Sequence, residues 1–402
     1  MTTSEDKNKL FGLITEVLSE QGLAGFRPVM EWLLNVTMRA ERSDFLKAEP
    51  NERTEERIGY ANGYKGKTVH TRMGELRVEI PQVRGLSFYP KSLERGCRSE
   101  VALKLAIAEM YVQGVSTRRV NEITEALCGL EISSTQVSRI SQGLDEKLNV
   151  FRQRELGTFP FVILDARYEK VRHGDTVRDC AVLLGIGINE DGRREILDVS
   201  VSLSEAEIHW KKFLEGLQKR GLKGVQLIVS DDHAGLKAAR KGVFPSIPWQ
   251  RCQFHLAQNA QAYAPSLAMR PLIGQAMRDI FNAPSLQTAR KMVKEIVHRF
   301  EKSAPEFTEW LEENVEEGFA VYAFPRPFWR KLRTSNMLEN VNGQIKRRTR
   351  VARIFPNPES CLRLITAVVQ EIHEDWITGR IFLDLEHLNQ GLSDHIYRKK
   401  VA

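Results

Sequence analysis

The chain has 402 residues, 42% hydrophobic and 28% charged, more than one core holds, which predicts two to four domains or subdomains of an ordinary soluble protein. Lys and Arg outnumber Asp and Glu by 59 to 52, for a net charge of +7, a bias toward polyanionic partners. No window approaches the roughly 18 apolar residues of a membrane span, the N-terminal MTTSEDKNKL has no signal-peptide core, and five scattered cysteines without a CxxC pair read as reduced thiols of a cytoplasmic protein rather than a disulfide framework or a closed zinc site.

Residues 8 to 47 carry helical periodicity, with Leu10, Ile14, Val17 and Leu18, then Val29, Trp32, Leu33 and Val36 after Pro28, and predict two short helices. The charged, glycine-rich stretch from Glu49 to Gly66 reads as a loop marking a boundary. Lys67 to Val83 alternates around Met73-Gly74 and predicts a small β-hairpin. Its Arg72, Arg77 and Arg84 either touch phosphate or line a solvated strand face. From Ser99 to Leu148 three helices are predicted: Val101 to Val112, Ser116 to Leu127 and Thr135 to Leu148. Ser116 or Thr117 and Ser133 or Ser134 serve as caps, and Cys128-Gly129 as a stop. This is either a plain three-helix packing unit or a helix-turn-helix whose last helix offers Ser134, Gln136, Ser138 and Arg139 to DNA.

The clearest α/β pattern spans Gly157 to Cys252. The apolar run Phe161-Val162-Ile163-Leu164 predicts a buried strand ending at Asp165, and Cys180 to Ile188 and Glu195 to Ser202 complete an antiparallel meander. A helix from Ser204 to Lys219 follows, with Ile208, Phe213, Leu214 and Leu217 as its apolar stripe. Val225 to Val229 is a second buried strand, exposed at Ser230-Asp231-Asp232 and followed by a helix. A short strand around Pro248 to Cys252 then leads into a helix at His255. This order is that of a ribonuclease H-like α/β fold, whose first and fourth strands lie side by side; both end here in Asp. Residues 256 to about 324 read as a helical insertion. TSNMLENVNGQIKRRTR and an amphipathic helix from Pro358 to Ile377 then rejoin the sheet domain.

Phosphoryl transfer with two metal ions needs carboxylates delivered from separate elements to one point. Asp165 and Asp231 stand at two strand ends, and Glu339 is the third candidate. In a helix over 336–350, Glu339, Asn342 or Gly343, Lys346 and Arg350 share one face, which sets an acid beside cations suited to a DNA backbone. Two purely structural readings compete: Asn336 and Glu339 match a capping box, and Asp231 can cap the next helix. Asp232 reads as a capping or solvated residue, and Asp175, Asp179 and Asp191 as loop acids. Cys252-x-x-His255 has half a zinc motif's spacing with no second pair, so it reads as a packing or hydrogen-bonding element.

The segments GYANGYKGKTVHTRMGELRVEIPQVRG, MYVQGVSTRRV, FVILDARYEKVR, LIVSDDHAGL, WQRCQFHLAQN and TSNMLENVNGQIKRRTR, in that order, resemble transposases of bacterial insertion sequences in the Mutator-like superfamily across nearly the whole chain. The resemblance implies a ribonuclease H-like catalytic domain with a DDE triad of catalytic, metal-ligating residues on Asp165, Asp231 and Glu339. The Cys-x-x-His signature falls on Cys252 and His255. It also implies two Mg²⁺ (or Mn²⁺) ions, cutting at the transposon ends, transfer of the freed 3′-OH to target DNA and a circular intermediate. The implied partners are double-stranded DNA, as terminal inverted repeats and target, and a second copy in a homodimer, with no membrane involved and a cytoplasmic, nucleoid-associated location. DNA contacts are expected from Gln136 and Arg139 and from Lys346, Arg347, Arg348 and Arg350.

The expected organisation is a helical region at 1–50, a hairpin region at 51–95, a helix-turn-helix domain at 96–150, a catalytic domain at 151–255 and 325–385, the insertion at 256–324 and a tail at 386–402. Three rivals are a non-catalytic DNA-binding regulator, a structure-selective nuclease of the same fold and a zinc-dependent scaffold built on Cys252 and His255.

Overall fold

The structure is a computed structural model describing residues 22–93 and 101–385, together with 12, 14–17, 19 and 20. Leu10, Leu18, Cys97, Ser99 and the predicted tail at 386–402 lie outside the described residues. The chain divides into two compact units, 1–143 and 144–402.

In the first unit, helix α1 (Phe26–Leu46) accommodates Pro28 in its first turn, where the missing N–H has no helical acceptor. Strands β1 (Ala61–Thr71) and β2 (Gly74–Val83) form an antiparallel hairpin, and Val78 and Ile80 share a core with Met38 of α1. The strand β1 starts well before the predicted Lys67. Tyr64 and Lys65 pair with Pro81 and Ile80 beyond a register shift, and Gly63 and Gly66 had disguised this extension as a loop.

Helices α2 (Val101–Val112), α3 (Thr117–Cys128) and α4 (Ser134–Gln142) follow. The predicted caps are in place: Ser116 accepts from Arg119 N, Gly129 adopts the left-handed conformation with φ 64°, and Ser133 and Gln136 form a reciprocal capping box. Ile107, Val120, Leu130 and Val137 form the shared core. The last helix stops at Gln142 rather than Leu148, because the chain breaks at Gly143 and a separate helix, α5 (Asp145–Gln153), begins.

The second unit is a mixed α/β layer structure. Its strands are β3 (Phe161–His173), β4 (Thr176–Ile188), β5 (Arg194–Ser202), β6 (Leu227–Ser230) and β7 (Trp249–Arg251), in the spatial order β5-β4-β3-β6-β7. The first three strands in the chain are antiparallel neighbours, while β6 and β7 run parallel to β3. Helices α6 (Glu207–Lys219) and α7 (Ala234–Val243) cover one face through Trp210, Phe213, Leu214, Leu217 and Leu236, packed on Val162, Leu164, Ala181 and Leu183. Ile208, assigned to this stripe from periodicity, is instead 70% exposed, and Trp210 takes the inward place.

Helix α8 (Gln253–Ala260) opens the insertion, and α9 (Arg270–Phe281), α10 (Leu286–Phe300) and α11 (Pro305–Asn314) continue it around their own core of Ile280, Phe300, Phe307 and Leu311. After α12 (Arg326–Leu332) come α13 (Asn336–Ala352) and α14 (Pro358–Thr378), which pack near β3 and β5. Arg363 of α14 grips Asp145 of α5 with two bonds of 2.6 and 2.8 Å.

Strand β3 does not end at Asp165 as the apolar run predicts; it continues to His173. The parallel partner β6 pairs only with Phe161 to Ile163, so Asp165 lies just past the point where the central parallel pairing stops. Beyond it β3 and β4 stay paired to a turn at His173 and Thr176, with β5 alongside β4 as far as Ala181 and a single bridge from Val171 to Phe355. Asp179 therefore lies inside β4, on its exposed portion, rather than in a turn.

Candidate active site

The site gathers at the ends of the two central parallel strands. Asp165 is 8% exposed. Its Oδ1 accepts from Ala166 N at 2.9 Å and its Oδ2 from Asn342 Nδ2 of α13 at 2.9 Å. Burial first, then the charge of Asp231 and more weakly that of Glu205, push its pKa up to about 7 against the Ala166 bond and the charge of His255. No lysine or arginine is among the charges acting on it. A neighbouring acid, Asp231, thus acts on the buried carboxylate with only the weaker opposing charge of His255 beside it.

Neither structural alternative for the other two acids holds. The N-cap of α7 is His233, with no side-chain cap, so Asp231 does not cap that helix. Helix α13 starts from Ser335 without a side-chain cap, so Asn336 and Glu339 form no capping box. Glu339 is an exposed residue of the first turn, 3.9 Å from His255 Nε2. Asp232 is an exposed residue that caps no helix; it pairs with Lys237 at 3.1 Å and Arg251 at 3.0 Å, and both bases also bind Glu317.

His255 is the group the three acids share. Hydrogen bonding to Cys252 above all, with the charges of Cys252, Asp231 and Asp165, pushes its pKa up to about 9 against its burial. Burial alone would raise the Cys252 thiol, but hydrogen bonds from His255 and Ser335 outweigh it and lower the pKa. Cys252 Sγ accepts from both Ser335 N and Ser335 Oγ at 3.4 Å, and Cys252 N donates to Ser230 O at 2.7 Å. The Cys-x-x-His element therefore links the strand that carries Asp231 to the start of the helix that carries Glu339. Among the described residues, no three His, Cys, Asp or Glu side chains stand together as ligands of a single ion.

Four contributors escaped sequence reading. Asn342 shares a helical face with Glu339 and was noticed only for that spacing. Arg167 donates to the Asn342 carbonyl and pairs with Glu169 at 2.6 Å, while Thr349 Oγ1 donates to Glu169 at 2.9 Å, so β3 and α13 are laced along their length. Glu205, in the loop before α6, adds its charge to the burial that raises the Tyr168 pKa, and lies 3.6 Å from His233 Nδ1. Ser335 had no signal apart from its place before a helix.

The basic residues are placed as follows. Lys346, Arg347 and Arg350 are exposed on α13, whereas Arg348 is half-buried and 3.5 Å from Glu371. In the first unit Arg139 is exposed, and Gln136, also exposed, spends its Oε1 on the Ser133 N–H at 2.7 Å.

Residues 2–379 match the family model described as transposase, Mutator family. The chain is 52% identical over 369 residues to the transposase for insertion sequence element IS406 of Burkholderia multivorans, covering 91% of this chain and 95% of that one. It is 42% identical over 391 residues to the transposase for insertion sequence element ISRM5 of Rhizobium meliloti, covering 97% and 98%. The transposase for insertion sequence element IS256 in transposon Tn4001 of Staphylococcus aureus is 34% identical over 354 residues, covering 87% and 90%.

Proposed function

The chain belongs to the Mutator family of transposases, and from that premise we propose that it binds the terminal inverted repeats of its insertion sequence, cuts the DNA at the element's ends and joins the freed 3′ ends to target DNA. The observation that carries this reading is the acid pair Asp165 and Asp231, from neighbouring strands at the centre of a sheet ordered β5-β4-β3-β6-β7. That order, antiparallel on one side and parallel on the other, supports a ribonuclease H-like catalytic domain.

The donor set fits hard divalent cations such as Mg²⁺ or Mn²⁺. A buried carboxylate pushed up by a neighbouring acid is relieved by a cation, and beside it Asn342 Oδ1 is a buried oxygen without a hydrogen-bond partner. Asp165 and Asp231 would hold the ions, with Glu339 as the third acid once it turns from His255. Bound there, two ions supply an activated water and neutralise charge on the phosphate under attack.

The protein's own groups do the rest. Asn342 fixes the Asp165 carboxylate from the side. Arg167, held by Glu169 and the Asn342 carbonyl, keeps α13 in register with β3. Lys346, Arg347 and Arg350 grip the backbone near the site, and Arg139 and Gln136 contact the terminal repeat from the helix-turn-helix. The protein acts as a homodimer at the nucleoid, through a circular intermediate.

The test is end cleavage and strand transfer on a labelled terminal-repeat duplex with Mg²⁺, comparing wild type with Asp165→Asn. Loss of both steps is expected. Strand transfer surviving in the variant would overturn the catalytic assignment, and cutting without joining by the wild type would favour a nuclease.

A further inference from the structure

We infer that the open edge of β1, from Gly63 to Lys67, is a docking strip for the sugar–phosphate backbone of duplex DNA. The inference deepens the reading of the chain as a DNA transposase and rests on it.

The two edges of the hairpin are treated differently. The outer edge of β2 is closed by α1: Glu31 Oε1 accepts from Arg77 N and Asn35 Oδ1 from Glu79 N, each at 2.7 Å. Residues 61–66 of β1, in contrast, are all exposed. Two glycines lie in this run. Gly63 has φ +72° beside the register shift, a conformation that requires glycine. Gly66 has no such reason. It pairs regularly with Glu79, its φ is not positive, and a Cβ there would meet nothing within 4 Å. Glycine inside a strand weakens it, so an unforced one marks a place where something from outside approaches the backbone.

The charges say what approaches. From Arg57 to Gly74 there is no Asp or Glu, while Arg57, Lys65, Lys67 and Arg72 are cations. Glu75 and Glu79 answer His70 and Arg39, but Arg57, Lys65 and Lys67 have no carboxylate partner among the described residues. Tyrosines are interleaved: Tyr60 lies under Arg57 at 5.0 Å and Tyr64 under Arg39 and Arg42 at 5.3 and 4.9 Å. Because guanidinium groups already cover these rings, they are not free platforms for unpaired bases. A strip of cations, phenol groups and open backbone matches phosphodiester oxygens, which in a duplex face outward.

The test uses the full chain, a fluorescent 40-bp duplex of arbitrary sequence and anisotropy at several KCl concentrations, with Gly66→Thr and Lys65→Ala. Threonine suits a strand and its Cβ would meet nothing within 4 Å, so Gly66→Thr is expected to keep the wild-type Tm while losing about tenfold or more in affinity. Lys65→Ala is expected to reduce the slope of log K against log salt by about 1. Failure of the wild type to bind overturns the DNA reading and this inference together. Wild-type binding unchanged in both variants overturns this inference alone. Should Gly66→Thr also lower Tm, the Lys65→Ala slope decides: an unaltered slope refutes the strip.

Discussion

Replacing Asp165 by Asn should stabilise the metal-free protein while abolishing its activity. Folding raises this carboxyl from 3.8 to about 7, so the stability it contributes is complete below pH 3.8 and is lost as pH rises through about 7. The charging cost above pH 7 is on the order of 4 kcal/mol. Asn removes the charge but has one acceptor oxygen for two donors, Ala166 N and Asn342 Nδ2, at a cost of about 1 kcal/mol. The expected net gain at pH 8 is therefore roughly 1 to 3 kcal/mol, vanishing or reversing near pH 4. Urea unfolding in EDTA, followed by tryptophan fluorescence from pH 4.5 to 8, reads this. Adding Mg²⁺ at pH 8 should stabilise the wild type, by about 2.7 kcal/mol at a hundredfold excess over Kd, and not the variant. A variant no more stable than wild type at pH 8, or a wild-type stability flat across this range, would refute the reasoning.

Glu339→Gln alters an exposed side chain and should leave stability within about 0.5 kcal/mol while end cleavage is lost; retention of cleavage would remove it from the triad. Cys252→Ala leaves the buried Ser335 N and Oγ without their acceptor and should cost about 1–3 kcal/mol, with cleavage at saturating duplex reduced more than duplex affinity, as expected when the Glu339 helix loses its anchor. Gly187→Ala would drive a Cβ into the Phe159 ring and to 2.8 Å from Leu197 Cδ2, and calorimetry should register about 1–3 kcal/mol of overpacking. Arg363→Ala breaks the bidentate pair that ties α14 to α5 and should cost about 2 kcal/mol of unfolding free energy, read from urea denaturation; Arg363→Lys should recover only part of it.

The sheet was legible because its strands are written as apolar runs. Phe161 to Leu164, Ala181 to Ile188 and Leu227 to Val229 are buried nearly throughout, and a strand covered on both faces, parallel or not, reads as a continuous apolar run. The polar half of β3 was not legible, since Arg167 to His173 owe their strand conformation to cross-strand pairing with β4 rather than to their own pattern. Glycine misled in β1 for the same reason. At the site, Asp165, Asp231 and Glu339 could be singled out by place and type. What surrounds them could not: Asn342 acts on Asp165 across 177 positions of sequence and Ser335 on Cys252 across 83, and local periodicity carries no trace of such pairings. The family resemblance drawn from six short segments holds over residues 2–379.

Helix α13 is moored at both ends to the sheet. At its start Ser335 bonds Cys252, and just past its end Phe355 N donates to Lys170 O while Arg172 N donates to Phe355 O, each at 2.8 Å. The long helical excursion between α8 and α13 leaves from one of these moorings and returns to it: Gln253 N donates to Arg333 O, and Arg333 Nη1 donates to Phe281 O and Asn282 Oδ1. A helix held at both ends cannot slide along the sheet, so the freedom left to Glu339 is that of one exposed side chain, whose rotation takes nanoseconds or less.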